Sequence, residues 1–318
     1  MPLSQRNLLD LDEFGRDDIG LILDTGVSMA EILSRQIPRV PTLRGTTIAN
    51  LFYEASTRTR VSFELAARSL GADVVNVTAS GSSIEKGESL VDTLRTVQAL
   101  GADMVVIRHR DAGAPYLAAA TLDCPVINAG DGWHAHPSQA LLDLYTVRTR
   151  LGRLEGIKLV IVGDILHSRV ARSNIWGFAR MGARIVLCGP PQLLPHEVTR
   201  FPGTDGLVTI EPNLDVAVED ADVVMALRIQ QERMEGAHLP DLREYARLYS
   251  ISEARLARAN PDALVMHPGP MNQGVEISAA IAYGNASVIE EQVTNGVAVR
   301  MAGIYLLAGG SAEAANGQ

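Results

Sequence analysis

The sequence is poor in cysteine and in positive charge, and it has no long apolar run. Its two cysteines, Cys124 and Cys188, lie in or beside apolar segments, which favours buried free thiols in a reducing compartment over a disulfide. The formal net charge of -9 argues against the basic face that nucleic-acid binding requires. The polar N-terminus, MPLSQRNLLDLDEF, lacks the apolar core of a signal peptide, and no run approaches the ~20 apolar residues of a membrane helix. We therefore expect a cytoplasmic protein that binds neither nucleic acid nor membrane.

The length and the apolar content suffice for two domains. With 318 residues, 47% of them hydrophobic, the chain can build two medium-sized cores. Short Val/Ile-rich runs alternate with amphipathic stretches, a pattern typical of parallel sheets covered by helices on both faces. The runs are TIANLFYE, ADVVNV, ADMVVIRH and PVINAG in the first half, and KLVIVGD, ARIVLCGP, DVVMALR and ALVMHPGP in the second. The pattern predicts an α/β protein with two doubly wound parallel-sheet domains.

A helical pattern near the middle of the chain marks the predicted domain change. It begins at Pro137 and ends at Gly152, after which the next strand opens. We predict a first domain over residues 1–136 and a second over residues 137–290. The last pattern, VTNGVAVRMAGIYLLAG, predicts a helix with no strand after it, so residues 291–318 are expected to pack back on the first domain.

The string STRT, from Ser56 to Thr59, follows the first predicted strand at the start of a predicted helix. In open parallel sheets, ligands bind beyond the carboxyl ends of the strands. A phosphate or carboxylate site would be formed by the N–H groups of the helix N-terminus, the serine and threonine hydroxyls of this string and the Arg58 guanidinium. A helix cap formed by Ser56 and Thr57 beside a solvated Arg58 explains the same residues. The spacing alone leaves both interpretations open.

Arginine and histidine also follow the later strands of the first half. Arg108 ends an apolar run, where a cation is costly unless it meets an anion; a salt bridge to Asp111 or Asp131 is the alternative. His136 directly precedes a proline at a helix start and can donate to a carbonyl oxygen. A metal site formed by Asp131, His134 and His136 is less favoured, because the two histidines do not have the spacing of a zinc site.

Two arginines, Arg169 and Arg228, follow predicted strands of the second half. Guanidinium groups bind carboxylates through two parallel hydrogen bonds, so the pair suits a substrate with two carboxylates. Each arginine could instead pair with a nearby acid, and the candidates are Asp164, Glu219 and Glu232. The turn VGDILHSRVARS lacks the G-x-G-x-x-G pattern, which leaves a dinucleotide-binding dehydrogenase with little support.

Two loops complete the set of candidates. The string HPGP holds its backbone with two prolines, so the carbonyls of Pro268 and Gly269 can accept hydrogen bonds from an amine, although a simple loop corner fits as well. The segment SGSSIEKGESL carries Ser82 and Lys86 among small residues. A solvated loop is the ordinary interpretation of this segment, and delivery of a lysine to a phosphate is the functional one.

Taken together, these strings resemble the catalytic chains of the aspartate carbamoyltransferase family. The strings are STRTRVSFE, IRH, HPSQALLDL, VGD followed by Arg169, RIQQER and HPGP, and the resemblance runs from near residue 5 to about residue 309. It implies the carbamoyltransferase fold and transfer of the carbamoyl group of carbamoyl phosphate to the amine of L-aspartate. The products would be N-carbamoyl-L-aspartate and phosphate, in pyrimidine (UMP) biosynthesis. Neither a metal nor an organic cofactor is implied.

The resemblance also implies a role for each candidate residue. The carbamoyl phosphate ligands would be Ser56, Thr57, Arg58, Thr59, Arg108, His136 and Gln139. A neighbouring subunit of a homotrimer would add Ser82 and Lys86, so that each site is shared, and a regulatory chain or a dihydroorotase can join such a trimer. The L-aspartate ligands would be Lys86, Arg169, Arg228, Gln230, Pro268, Gly269 and Pro270. The expected catalytic residues are Arg58, Thr59, Lys86, Arg108 and His136, and the pair matching a domain bridge is Glu54 and Arg233.

Two alternatives to this function follow from the same strings. An ornithine carbamoyltransferase shares STRTR and HPxQ but should carry a cysteine in an H-C-L-P loop, whereas Arg228 and Gln230 here favour an anionic substrate. A non-catalytic, carbamoyl-phosphate-binding relative would be expected to lose Arg58, His136 or Lys86, and all three are present. The chain departs from some relatives at two positions, with Gly269 in place of leucine and Gln273 in place of arginine.

Overall fold

The computed structural model describes residues 3–78, 87–230 and 241–316, and it divides the chain into two units. Unit 1 comprises Met1–Tyr145 and Val293–Gln318, and unit 2 comprises Thr146–Gln292. Each unit is built around its own parallel sheet, as the alternation of apolar runs and amphipathic stretches predicted.

Unit 1 contains a four-stranded parallel sheet in its described residues. The strands are β1 (Thr47–Phe52), β2 (Asp73–Thr78), β3 (Met104–His109) and β4 (Val126–Asp131), in the order β2-β1-β3-β4. The helices are α1 (Arg16–Leu33), α2 (Thr57–Ser69), α3 (Leu90–Ala99), α4 (Ala114–Thr121) and the first part of α5 (Pro137–Leu151). Strand β4 is buried throughout, whereas β2 lies at the sheet edge and is largely exposed.

Unit 2 contains a five-stranded parallel sheet in its described residues. The strands are β5 (Lys158–Val162), β6 (Arg184–Cys188), β7 (Val208–Ile210), β8 (Val223–Ala226) and β9 (Leu264–Met266), in the order β7-β6-β5-β8-β9. The helices are α6 (Arg169–Arg180), α7 (Leu214–Ala217), α8 (Leu242–Tyr249), α9 (Glu253–Leu256) and α10 (Ala279–Ala282). Among the helices so described, none is long and apolar enough to cross a membrane.

All eight apolar runs of the sequence form strands, and one further strand was not predicted. Strand β7 has only three residues, with an exposed Thr209 in the middle, so it offers no apolar run to recognise. It forms at the sheet edge because its backbone pairs with β6, in the register Ile185 with Val208. This strand depends on its neighbour rather than on its own composition.

The last helix, α11 (Ile289–Asn316), packs on unit 1, as predicted. A Cβ atom built at Gly296 would lie 2.6 Å from Arg300 Nη1 and 3.1 Å from Leu142 Cδ2, so the helix approaches α5 closely at this point. Arg300 donates through Nη1 to Ser62 Oγ on α2 at 2.8 Å, and its guanidinium carbon lies 5.1 Å from the ring centre of Phe63. The C-terminal helix therefore connects α2 and α5 within unit 1.

Both cysteines are free thiols, and their surroundings predict different reactivity. Burial raises the pKa of Cys188 to about 12, whereas Cys124 is partly exposed. At pH 8 the Cys188 thiol is therefore protonated and inaccessible, and alkylation needs an accessible thiolate. We expect iodoacetamide to leave Cys188 unmodified in the folded protein and to modify both thiols in denaturant, as measured by peptide mass spectrometry. Modification of Cys188 without unfolding would contradict this expectation.

Candidate active site

Three neighbouring strands of unit 1 end beside the residues predicted to bind an anion. In the sheet register Phe52 of β1 lies opposite Arg108 of β3, and His109 of β3 lies opposite Asp131 of β4. The segments that follow β1 and β4 carry Ser56 to Thr59 and His136. The structure thus brings these two segments and Arg108 to the same carboxyl edge of one sheet, where ligands bind in open parallel sheets.

The N-terminus of α2 is both a capped helix start and an electropositive site. Ser56 is the N-cap and its Oγ accepts from the backbone N–H of Thr59 at 3.4 Å, so the capping interpretation is correct for Ser56. Thr57 and Arg58 remain exposed, and partial burial lowers the pKa of the Arg58 guanidinium. Capping by Ser56 satisfies one N–H group, which leaves the rest of the helix N-terminus to favour a bound anion.

The helices that start beside candidate residues lack acidic residues in their first turns. This holds for α2, α5 and α6, whereas α1, α3 and α8 carry Asp17 and Asp18, Asp92, and Glu244 there. Acidic residues in the first turn neutralise the positive end of the helix dipole. The first turns of α2, α5 and α6 therefore keep the positive potential that an anionic substrate requires.

Arg108 is buried at the end of β3 and paired with a carboxylate. Its Nη2 donates to Glu54 Oε1 at 2.6 Å, and its Nη1 donates to the carbonyl oxygen of Ala129 at 3.2 Å. The acid beside Arg108 is thus Glu54, which follows the neighbouring strand β1, and neither of the two predicted partners, Asp111 and Asp131. These two hydrogen bonds, to different acceptors, hold the guanidinium plane at the carboxyl edge of the sheet.

His136 occupies the N-cap position of α5, where its carbonyl oxygen accepts from Gln139 N at 3.0 Å. The turn before it is built around the fully buried carboxylate of Asp131. This carboxylate accepts from Asn128 Nδ2 at 2.8 Å, Gly113 N at 2.8 Å and Ala135 N at 3.1 Å. The position of His136 at the helix start is therefore set by a network that reaches α4 and β4.

His134 belongs to the same network. Its Nδ1 lies 3.2 Å from Asp131 Oδ2, and this hydrogen bond raises the pKa of the His134 imidazole. Within residues 3–78, 87–230 and 241–316, no three His, Cys, Asp or Glu side chains are grouped so that they could hold a metal ion. Asp131 therefore acts as a hydrogen-bond acceptor for its own loop.

Three neighbouring strands of unit 2 carry the other candidates at their carboxyl ends. Val162 of β5 lies opposite Ala226 of β8, and Met225 of β8 lies opposite Met266 of β9. The residues that follow these strand ends are Arg169 at the first position of α6, Arg228 and Gln230 after β8, and Pro268, Gly269 and Pro270 after β9. Arg169 is buried and Arg228 is half-buried. The strand order of unit 2 therefore brings these residues to one sheet edge.

Asp164 connects two of these segments. Its Oδ1 accepts from His167 N at 3.1 Å and lies 3.0 Å from His167 Nδ1, and its Oδ2 accepts from Gln230 N at 3.3 Å. The other predicted acidic neighbour, Glu219, pairs with Arg258 at 2.5 Å, and Glu232 lies outside the described residues. The Asp164 carboxylate thus holds the turn before α6 and the loop after β8 in one arrangement.

The HPGP loop is held from behind by a buried histidine and a buried glutamate. His267 Nδ1 accepts from Gly269 N at 2.8 Å, so the ring proton lies on Nε2 and is donated to Glu276 Oε1 at 3.1 Å. The same oxygen accepts from Asn272 N at 2.6 Å. These three bonds fix the backbone around Pro268 and Gly269, whose carbonyls were predicted to receive an amine.

Three of the predicted residues lie outside the described ranges: Ser82, Lys86 and Arg233. Gln273 donates through Nε2 to Tyr283 Oη at 2.7 Å on an exposed surface.

Models of two domain families match most of the chain. Residues 6–149 match the carbamoyl-P binding domain of aspartate/ornithine carbamoyltransferase, and residues 155–307 match its Asp/Orn binding domain. The aspartate carbamoyltransferase catalytic subunit of Roseiflexus sp. (strain RS-1) is 63% identical over 305 residues, which are 96% of each chain. That of Chloroflexus aurantiacus (strain ATCC 29366 / DSM 635 / J-10-fl) is 59% identical over 305 residues, covering 96% of this chain and 99% of the relative.

Solved structures of both branches of the family share the fold. Ornithine carbamoyltransferase from Pyrococcus furiosus superposes with a TM-score of 0.87 at 29% identity, over 98% of this chain and 99% of the other. Aspartate transcarbamoylase from Trypanosoma cruzi, in complex with carbamoyl phosphate and aspartate, gives 0.84 at 29% identity over 94% of each chain. With the sheet order and the strand-end residues of both units, these similarities show that the chain belongs to the aspartate/ornithine carbamoyltransferase family.

Proposed function

We propose that the protein is an aspartate carbamoyltransferase, which transfers the carbamoyl group of carbamoyl phosphate to the amine of L-aspartate. The observation that carries this proposal is the carboxyl edge of the unit 1 sheet, where the acid-free start of α2 lies beside Arg108 and the start of α5. A phosphate dianion suits the helix N-terminus, and a polarised carbonyl oxygen suits Arg108 and His136. In unit 2, Arg169 and Arg228 suit the two carboxylates of aspartate.

The reaction forms one C–N bond and breaks one C–O bond. The amine of aspartate attacks the carbamoyl carbon, and negative charge grows on the carbonyl oxygen and then on the departing phosphate. Fixed donors and cations lower the energy of such a transition state, and this is the role of Arg58, Thr59, Arg108 and His136. The amine attacks in its neutral form, and the carbonyls of Pro268 and Gly269 would accept from its N–H groups and orient it. One proton leaves with the phosphate, which is the basic group nearest in the reaction, and one N–H remains in the product.

The same residues indicate which substrate each unit would bind. Unit 1, Met1–Tyr145 with Val293–Gln318, would bind carbamoyl phosphate through Ser56, Thr57, Arg58, Thr59, Arg108, His136 and Gln139. Unit 2, Thr146–Gln292, would bind L-aspartate through Arg169, Arg228, Gln230, Pro268, Gly269 and Pro270. The matching domain-family descriptions, one for carbamoyl-P and one for Asp/Orn, support this assignment. As a carbamoyl-aspartate producer, the protein would serve pyrimidine biosynthesis in the cytoplasm.

A homotrimer with shared sites is supported by the exposed edge of unit 1. Strand β2 ends its sheet with one side unpaired among the described strands, and Val75 on it is 49% exposed. On α2, which packs beside β2, Val61 and Leu65 are 40% and 50% exposed. Apolar side chains at an open sheet edge suit a second copy of this chain. A larger assembly with a regulatory chain or a dihydroorotase stays a prediction that native mass spectrometry can test.

A shared site predicts complementation between two inactive variants. Arg58→Ala removes the phosphate-binding guanidinium, and Lys86→Ala removes the residue supplied by the neighbour, so each homotrimer should be inactive. In mixed trimers some sites receive both wild-type residues, and we expect part of the activity to return after the two variants are dissociated and reassembled. Mixed trimers of verified composition that stay inactive would contradict the shared site.

The choice of amino acid tests the function directly. An ornithine carbamoyltransferase is the second candidate, because one such enzyme superposes on this chain with a TM-score of 0.87. The catalytic subunits at 59% and 63% identity and the two strand-end arginines favour aspartate. We expect carbamoyl phosphate with aspartate to give N-carbamoyl-L-aspartate and phosphate, detected by chromatography, and no product with ornithine. Product with ornithine alone would overturn the assignment, and no product with either would favour a non-catalytic binding subunit.

A further inference from the structure

Gln139 and Asp143 lie one turn apart on α5, and their side chains are bonded. Gln139 Nε2 donates to Asp143 Oδ1 at 3.0 Å. Asp143 is 0% exposed and Gln139 is 9% exposed, so the bond is buried and shielded from water. A Gln…Asp pair at this spacing ordinarily stabilises exposed helix surfaces, and the complete burial of the carboxylate calls for another explanation.

The bond fixes the direction of the Gln139 amide. An amide group has a donor end and an acceptor end of nearly the same shape, and without a fixed neighbour it can present either. An ionised carboxylate only accepts, so Asp143 holds the nitrogen of Gln139 and leaves the amide oxygen as the end that meets a ligand.

A buried positive charge, that of Arg300, interacts with Asp143. Arg300 on α11 interacts electrostatically with Asp143, and burial lowers the pKa of the Arg300 guanidinium to about 10. Arg300 therefore carries a positive charge at neutral pH, and this charge attracts the Asp143 side chain. Arg108 repels Arg300 but is itself paired with Glu54, so Asp143 supplies the negative charge that attracts Arg300.

We propose that Asp143 is a specificity-determining residue, which makes the site select an acyl phosphate that carries an amide NH₂ group. The carbamoyl group has a donor NH₂ where an acetyl group has a methyl, and only a fixed acceptor distinguishes the two. Asp143 acts through Gln139 and touches no substrate, so it is a positioning residue. The proposal rests on the proposed function, and it explains how that site would reject acetyl phosphate.

Two stable probes differ in this one group. Phosphonoacetamide carries NH₂ and acetonylphosphonate carries CH₃ at the same place, and both keep the phosphonate that the start of α2 would bind. Calorimetry without amino acid measures the dissociation constant of each probe. The quantity compared is the dissociation constant of the methyl probe divided by that of the amide probe. We expect a ratio of about tenfold for the wild type, the size of one well-placed hydrogen bond.

Three variants separate specificity from stability. In Asp143→Asn the Arg300 charge attracts the new amide oxygen, which turns the NH₂ of residue 143 toward Gln139 and reverses the Gln139 amide. Asp143→Leu with Arg300→Met removes the acceptor but replaces the buried charges by apolar groups, so that folding is retained if the first variant is unstable. The control, Ser62→Ala, removes the bond from Arg300 Nη1 to Ser62 Oγ at 2.8 Å in the same cluster.

The ratio of the two dissociation constants decides the matter. We expect it to fall to within about twofold in both Asp143 variants and to keep its wild-type value in Ser62→Ala, even where that control melts at a lower temperature. If both Asp143 variants keep the wild-type ratio, Asp143 does not determine specificity. This holds also if the two dissociation constants rise by the same factor. If the wild type itself prefers neither probe, the proposed carbamoyl phosphate site is wrong, and this outcome is seen before any variant is made.

Discussion

Replacing Arg108 with lysine is expected to lower kcat by about 10²–10³-fold, the usual effect of losing one positioned donor to a developing oxyanion. Arginine holds its place through two separate bonds, to Glu54 Oε1 at 2.6 Å and to the Ala129 carbonyl at 3.2 Å. A lysine ammonium keeps the charge but lacks the planar fork, so it cannot make both bonds and also face a carbonyl oxygen. Steady-state kinetics with carbamoyl phosphate varied at saturating aspartate measure the effect.

The matched control for Arg108→Lys is Arg68→Lys. Arg68 also pairs with a glutamate, from Nη2 to Glu64 Oε1 at 2.8 Å, but on the exposed surface of α2. Exposed ion pairs contribute at most about 1 kcal/mol to stability, so this variant should keep wild-type kinetics and nearly wild-type stability. A fall in kcat of less than about threefold for Arg108→Lys would mean that the charge alone, without its geometry, suffices.

Replacing Asp164 with asparagine is expected to raise KM for aspartate by at least about tenfold and to leave the binding of carbamoyl phosphate unchanged. The carboxylate accepts from His167 N on one oxygen and from Gln230 N on the other. Asparagine has one accepting oxygen, so its NH₂ group must face one of these N–H donors. A buried donor left without an acceptor costs about 1–3 kcal/mol, which displaces either the turn before α6 or the loop with Gln230.

Asp222→Asn is the control for Asp164→Asn. Asp222 makes the same kind of connection at the opposite, amino end of β5, where Oδ2 accepts from Lys158 N at 2.8 Å and Oδ1 accepts from Asn260 Nδ2 at 3.0 Å. Its asparagine variant should lose comparable stability, measured by thermal melting, while KM for aspartate stays constant. Equal changes in KM for the two variants would show that the effect of Asp164 comes from general destabilisation.

The sequence predicts most strands and the strand-end cations, because both depend on short local patterns. An apolar run followed by Arg108 places the cation at the mouth of a buried strand whatever its neighbours are. The acidic partner of Arg108 could not be predicted in this way. Glu54 follows β1, and it meets Arg108 only because β1 lies beside β3 in the order β2-β1-β3-β4. Strand order is a property of the whole sheet, so the nearest acids in sequence, Asp111 and Asp131, were the wrong candidates.

The hydrogen-bonding roles of three acidic residues were not predicted: Asp131 and Asp164 were considered only as ion-pair or metal partners, and Glu276 was not singled out. Asp131, Asp164 and Glu276 each accept hydrogen bonds from two or more segments, and nothing in their local sequence distinguishes them from solvated acids. Asp143 is different, because its four-residue spacing from Gln139 in HPSQALLDL is visible in the sequence. Its burial is not, since that depends on α11 covering α5.

The return of α11 to unit 1 determines the order in which a growing chain can become native. Arg300 bonds to Ser62, 238 positions earlier, and all of unit 2 is synthesised between them. Chains emerge from the ribosome N-terminus first, and domains fold as units as they appear. Unit 2 is therefore complete in the sequence before the segment from Val293 onward, which unit 1 needs, has been made. The unit made first is completed last, and until then its apolar surface is open to chaperones, proteases and other nascent chains.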